Sequence, residues 1–198
     1  MKLMRSVGLL LSIAIIAPAF AASPDVKDWE HSPQAYFMTK AEQREWTEIK
    51  TQEEAQRFID QFLAKRSPGF ADAVSARAAK ADKYFTVGKL QGSKTLRGKT
   101  VIVLGPPSTM DVSDIEGNIL QHTSGVHHDD YSRGERMGGA YYMLKGYHLV
   151  YTSAPGGPID VTISSDSNTG KDEPRDRSDA KQLDAAFEAA AQASIRTK

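Results

Sequence analysis

The chain has 198 residues, with 25 Lys and Arg balanced by 25 Asp and Glu, 40% hydrophobic residues and no cysteine. A formal charge of zero offers no bulk attraction for nucleic acid or an anionic membrane surface. The missing cysteines exclude disulfides, a thiol nucleophile, thiolate metal ligation and a lipid-modified N-terminal cysteine together.

Residues 1–21 have the pattern of a secretion signal: Lys2 and Arg5 in a charged start, a nearly unbroken apolar run from Val7 to Ile16, and Ala19-Phe20-Ala21 as a small-x-small site before Ala22. The apolar run falls short of the roughly 20 residues that span a bilayer, which predicts a cleaved leader and no stable membrane anchor. The expected location is periplasmic or extracellular, in a bacterium. Removing the leader from the 198 residues leaves 177, enough for one domain with its own core. It also removes two positive charges, leaving 23 basic against 25 acidic residues.

Helix signals fill the first half. Thr39-Lys-Ala-Glu42 and Thr51-Gln-Glu-Glu54 have the Thr-x-x-Glu form of a capping box. Behind the second, Ala55, Phe58, Ile59, Phe62 and Leu63 share one helical face, and Ser67-Pro68-Gly69 predicts a stop. A third helix is expected with Val74, Ala78, Ala81 and Phe85 as its apolar stripe, Arg77 on the edge and Gly88 as terminator.

The second half reads as strands. Thr100-Val-Ile-Val-Leu104, closed by Gly105-Pro106-Pro107, suits a short strand buried on both faces. Residues 141–144 and 147–152 are expected to form a hairpin around Lys145-Gly146, with residues 159–163 as a further strand. The predicted fold class is α+β: N-terminal helices packed on a small, mostly antiparallel sheet, with a C-terminal helix. The domain spans residues 22–163. Residues 164–178, rich in Ser, Asp, Asn, Gly, Lys and Arg, read as a flexible linker. Residues 179–198 form a terminal amphipathic helix whose thin face of Leu183, Phe187, Ala190, Ala191, Ser194 and Ile195 is expected to dock loosely or serve a partner. Residues 121–139 are polar and glycine-dotted, longer than structureless loops usually run.

From Tyr36 to Ile163 the chain resembles the bacterial GWxTD domain family. Phe58-Ile59-Asp60-Gln61-Phe62-Leu63-Ala64-Lys65-Arg66-Ser67-Pro68 is similar to the family's Phe-Ile-x-x-Phe-Trp-x-x-Arg-Asp-Pro segment. Arg77, Ala81 and Phe85 match its next helix, and Gly92-Ser93-Lys94-Thr95-Leu96-Arg97-Gly98 stands where the name motif falls, before Gly105-Pro106-Pro107. Ser93 replaces the motif Trp and Leu96 its Asp, while Leu63 and Ser67 replace the Trp and Asp of the helical segment. The resemblance implies a fold, an exported setting and five positions to watch: Arg66, Arg77, Lys94, Thr95 and Arg97. It carries no established activity. Converging on one face, Arg66, Arg77, Lys94 and Arg97 would form an anion or peptide-carboxylate pocket. The alternative is that they tie helix ends and the turn at residues 92–98 together, as buried arginines normally do.

Other motifs point to little chemistry. Gly98-Lys99-Thr100 resembles the end of a phosphate loop, but five residues separate Gly92 from Gly98 and a strand is expected to follow, so nucleotide binding is not predicted. Ser178-x-x-Lys181 has hydrolase spacing and reads as an N-cap serine on the terminal helix. Tyr131, Tyr141, Tyr142, Tyr147 and Tyr151 read as half-buried sheet packing. His122, His127, His128 and Asp129, with Asp130 beside them, are a ligand set for zinc or copper if an irregular loop gathers them, and a solvated polar loop otherwise. The expectation is a non-enzymatic envelope binding module for a protein or peptide, with no nucleic acid partner. The alternative is a metal-binding protein or metal-dependent hydrolase built on that loop.

Overall fold

Both capping boxes form. Thr39 accepts from the Glu42 backbone N–H while Glu42 reaches back to the Thr39 N–H, opening helix α1 (Lys40–Glu48). Thr51 and Glu54 repeat the arrangement at the start of α2 (Gln52–Ala64). In this computed structural model, which describes residues 26–115 and 144–196, two 3₁₀ turns (Val26–His31 and Ala35–Phe37) precede these helices, and α3 (Phe70–Phe85) follows them. The predicted stripes are buried: Ala55, Phe58, Ile59 and Phe62 on α2, and Val74, Ala78, Ala81 and Phe85 on α3. Trp29 packs edge-on against Phe58 and Phe62, which closes an aromatic core under the N-terminal helices.

The run 100–104 is helical, not a strand. It belongs to α4 (Leu96–Leu104), capped by Thr95 Oγ1 accepting from the Gly98 N–H. Periodicity cannot separate a short buried strand from a buried helix, and a helix enclosed on several sides is apolar all round. That is the position of α4, which packs against α3 and the C-terminal helix, with Thr100 and Ile102 fully buried. Glycine lets the 3₁₀ turn at residues 92–94 lie on α3, and lets α4 lie on that turn. A Cβ built on Gly92 would lie 2.0 Å from the Ala81 carbonyl oxygen, and one on Gly98 would lie 1.8 Å from the Gly92 carbonyl oxygen. Gly105, at φ +86°, then turns the chain out of α4.

Four antiparallel strands form one sheet in the order β1-β2-β3-β4: β1 (Thr109–Ile115), β2 (Leu144–Tyr151), β3 (Ile159–Asp166) and β4 (Asp172–Pro174). β1 was not expected. The hairpin predicted around Lys145-Gly146 is corrected too, since β2 runs straight through both residues and pairs them with Ser165 and Ser164. Residues 141–143 lie outside the described residues.

Residues 164–178 are structure rather than linker. β3 continues to Asp166, whose side chain accepts from the Asn168 and Thr169 N–H groups in a tight turn, and β4 returns alongside. The terminal helix α5 (Arg177–Ala193) is capped by Asp176, not Ser178. Its docking is firm: Leu183, Ala186, Ala190 and Ala191 are buried, and small alanines let the helix lie close on β3, α4 and the second 3₁₀ turn. Beyond it Arg196 donates from its backbone to the Lys65 carbonyl and from Nε to the Arg66 carbonyl, joining the two ends of the fold. A second core of Leu149, Tyr151, Ile159, Val161, Ile163, Leu183 and Ala186 lies between sheet and α5, with Leu104 and Phe187 shared with the first core.

Candidate functional site

The five positions singled out by resemblance do not converge on a pocket. Arg66 is fully buried at the end of α2, where its two terminal nitrogens each bond one Glu42 oxygen at 2.7 Å. The same nitrogens donate to the Phe37 carbonyl at 2.8 Å and the Phe62 carbonyl at 3.2 Å, and the guanidinium stacks 3.6 Å over the Phe62 ring. Burial works to raise the Glu42 carboxyl, but hydrogen bonds from Arg66 and Thr39 outweigh it and hold the group below its ordinary 4.5. The bidentate fork ties α1, α2 and the preceding turn together.

Arg77 reaches from α3 to the Ile102 carbonyl on α4 at 2.9 Å. Arg97 lies under the sheet, stacked 4.5 Å over the Tyr147 ring, with Nε 3.4 Å from Asp172 of β4 in an ion pair without hydrogen-bond alignment. Thr95 caps α4, and Lys94 is exposed beside it. The three arginines and Thr95 join internal elements, as the alternative reading has it.

The phosphate-loop context needs a correction: Gly98-Lys99-Thr100 opens a helix rather than preceding a strand. The donors there are already used, however. The Gly98 N–H goes to Thr95, and the Arg97 N–H goes to the Asp172 carboxylate at 3.0 Å, a negative charge where a phosphate would sit. Lys99, next in line, projects toward α5 with its ammonium 4.9 Å from the Phe187 ring centre and 5.4 Å from that of Tyr36. Burial lowers its amine, against the opposing charge of Asp184. A groove of about 350 Å³ between the first 3₁₀ turn and α3 is floored by Trp29, Pro33, Val74 and Ala78, and its carboxylate, Asp82, already accepts from the Ser93 N–H.

His122, His127, His128 and Asp129 lie outside the described residues, as do Asp130, Tyr131, Tyr141 and Tyr142. Among the described residues no group of three or more His, Asp or Glu is arranged to hold a metal ion. No described helix is long and apolar enough to cross a membrane. Tyr147 is half-buried, as expected, whereas Tyr151 is fully buried, and burial raises its hydroxyl.

What sequence reasoning missed lies on β1 and its neighbours. β1 ends the sheet, and every described side chain from Thr109 to Asp114 is exposed. Met110 and Val112 stand opposite Leu149 and Tyr147, so they continue the helix-covered face of the sheet beyond its cover, at 43% and 51% exposure. Asp111 stands opposite His148 on the uncovered face. His148 there lies between two carboxylates, with Nδ1 3.9 Å from Asp111 and Nε2 2.5 Å from Asp160 on β3. Met110 and Val112 on one face and Asp111 on the other thus line a main-chain edge that no described residue pairs with. The alternation Met110-Asp111-Val112-Ser113 was the available signal. No protein-family model, curated protein or solved structure matches the chain.

Proposed function

We propose that this chain is an exported, non-enzymatic binding module of the bacterial cell envelope, which takes an extended segment of another envelope protein or a peptide along β1. The observation that carries the reading is the open edge of β1. Antiparallel pairing leaves every second N–H and C=O of an end strand pointing away from its neighbour, and no described residue pairs with those of β1. An added strand gains affinity from such main-chain groups and specificity from the alternating side chains, here Met110 and Val112. Export rests on the leader pattern of residues 1–21, and placement among the GWxTD domains on the order and spacing of the motif positions. Within this reading Arg66, Arg77 and Arg97 hold the scaffold and the ligand touches none of them.

Fluorescence anisotropy with a labelled peptide centred on Thr-Val-Ser-Val-Thr tests the reading. Binding by the parent protein should be lost in the double variant Met110→Lys, Val112→Lys, because two charges then face the apolar side of the added strand. Equal binding by parent and variant refutes docking on β1.

A further inference from the structure

Resting on that binding reading, we infer that β1 selects a segment in which one basic residue stands between two apolar ones. A strand added at this edge sets three consecutive residues opposite Met110, Asp111 and Val112. The outer two meet side chains 43% and 51% exposed that prolong the apolar face of Leu149 and Tyr147, so burial there favours apolar partners. The middle one meets Asp111 on the opposite face, beside His148 and Asp160. With two carboxylates to one imidazole, that face stays negative even when His148 is protonated. Lys145 does not offset it, because it stands on the other face, opposite Asp114. Arg175, farther across the sheet, is engaged by Asp176 and Asp179.

The same residues argue against a second copy of the chain as the occupant. Antiparallel self-pairing centred on Asp111 would match Met110 with Val112, yet it sets the two Asp111 carboxylates directly opposite one another, a destabilising pair. Centring on Val112 instead sets Val112 against its own copy but puts both Met110 side chains opposite Asp114, so one apolar pair replaces two. Asp111 therefore guards the edge against self-association and is also what a basic partner residue would pair with.

The test uses three labelled nonapeptides identical except at the centre, Gly-Ser-Thr-Val-X-Val-Thr-Ser-Gly, with X as Lys, Ser or Glu. The Lys peptide should bind about two- to fivefold more tightly than the Ser peptide, the range of an opposite-charge cross-strand pair, and the Glu peptide most weakly. The spread should shrink at about 0.5 M NaCl, and the Lys–Glu order should invert in Asp111→Lys. Equal Lys and Ser affinities, with binding still lost in Val112→Lys, overturn the selection and leave docking on β1 intact. Binding by none of the peptides, or binding indifferent to Val112→Lys, overturns both. A dimer that depends on Val112, seen by sedimentation, would overturn the selection in favour of a second copy. The central comparison is made on the unaltered protein, so it does not depend on any variant folding.

Discussion

Replacing Arg66 by Met should strip the buried Glu42 carboxylate of its bidentate partner and leave it only the half-exposed Lys65 ammonium, 4.0 Å away. The Met side chain keeps much of the packing on Phe62 but removes both 2.7 Å bonds to Glu42 and the donors to the Phe37 and Phe62 carbonyls. Removing one partner of a buried pair typically costs about 3–5 kcal/mol, and about 2–4 °C is lost per kcal/mol in a domain of this size, so Tm should fall by roughly 6–20 °C at pH 7. The cost has a pH signature. In the parent the Glu42 carboxyl is held below 4.5, so its contribution is full above that value and fades as pH falls through the lower folded value. In the variant burial acts without the Arg66 bonds, and the carboxyl takes up its proton at higher pH. The gap between parent and variant should therefore be widest near neutrality and close on acidification, which thermal melts at several pH values measure. The double variant Glu42→Gln, Arg66→Met keeps the cap on Thr39 without a buried charge and should recover part of the loss. A pH-independent gap, or a double variant as unstable as the single, would refute the account of Arg66.

Gly98→Ala should cost about 3 kcal/mol or more, measured by urea unfolding, because its Cβ would meet the Gly92 carbonyl oxygen at 1.8 Å and push α4 off the 3₁₀ turn at residues 92–94. Arg77→Ala should cost about 1–3 kcal/mol by leaving the Ile102 carbonyl without its donor, and peptide affinity below the melting range should not change. Leu183→Ala should cost about 2–5 kcal/mol, since the side chain is buried between α5 and β3. A loss under about 0.5 kcal/mol would mean that α5 is not a core element.

Local signals with a single physical solution were readable in the sequence. The Thr39 and Thr51 capping boxes and the stripes of α2 and α3 each needed only helix geometry, and the α+β class followed from them and from the alternation at residues 159–163. Signals that depend on tertiary surroundings were not. The β-branched run 100–104 is helical because α3 and α5 enclose it. Gly92 and Gly98 have part of a phosphate-loop pattern in sequence, yet in the fold Gly92 lets the turn at residues 92–94 lie on α3 and Gly98 lets α4 lie on that turn. The polar run 164–178 resembles a linker in composition, but Asp166 and Asp176 spend their side chains on a turn and a helix cap. Arginines 66, 77 and 97 stood out only through the resemblance, and their partners, carbonyls and carboxylates from three separate places, leave no local signal in the sequence. β1 escaped because its alternation is short and carries Asp111 and Asp114 among seven residues, and its place at the end of the sheet is set by pairing with β2, which the sequence does not signal.

Hydrogen–deuterium exchange of β1, with and without the Val-Lys-Val peptide, tests the central claim most directly. In the free protein the β1 amides that point away from β2 should exchange rapidly. With peptide bound at saturation they should become protected, while exchange in α2 and α3 stays unchanged. Saturating peptide binding that leaves β1 exchange unaltered would contradict docking on this edge.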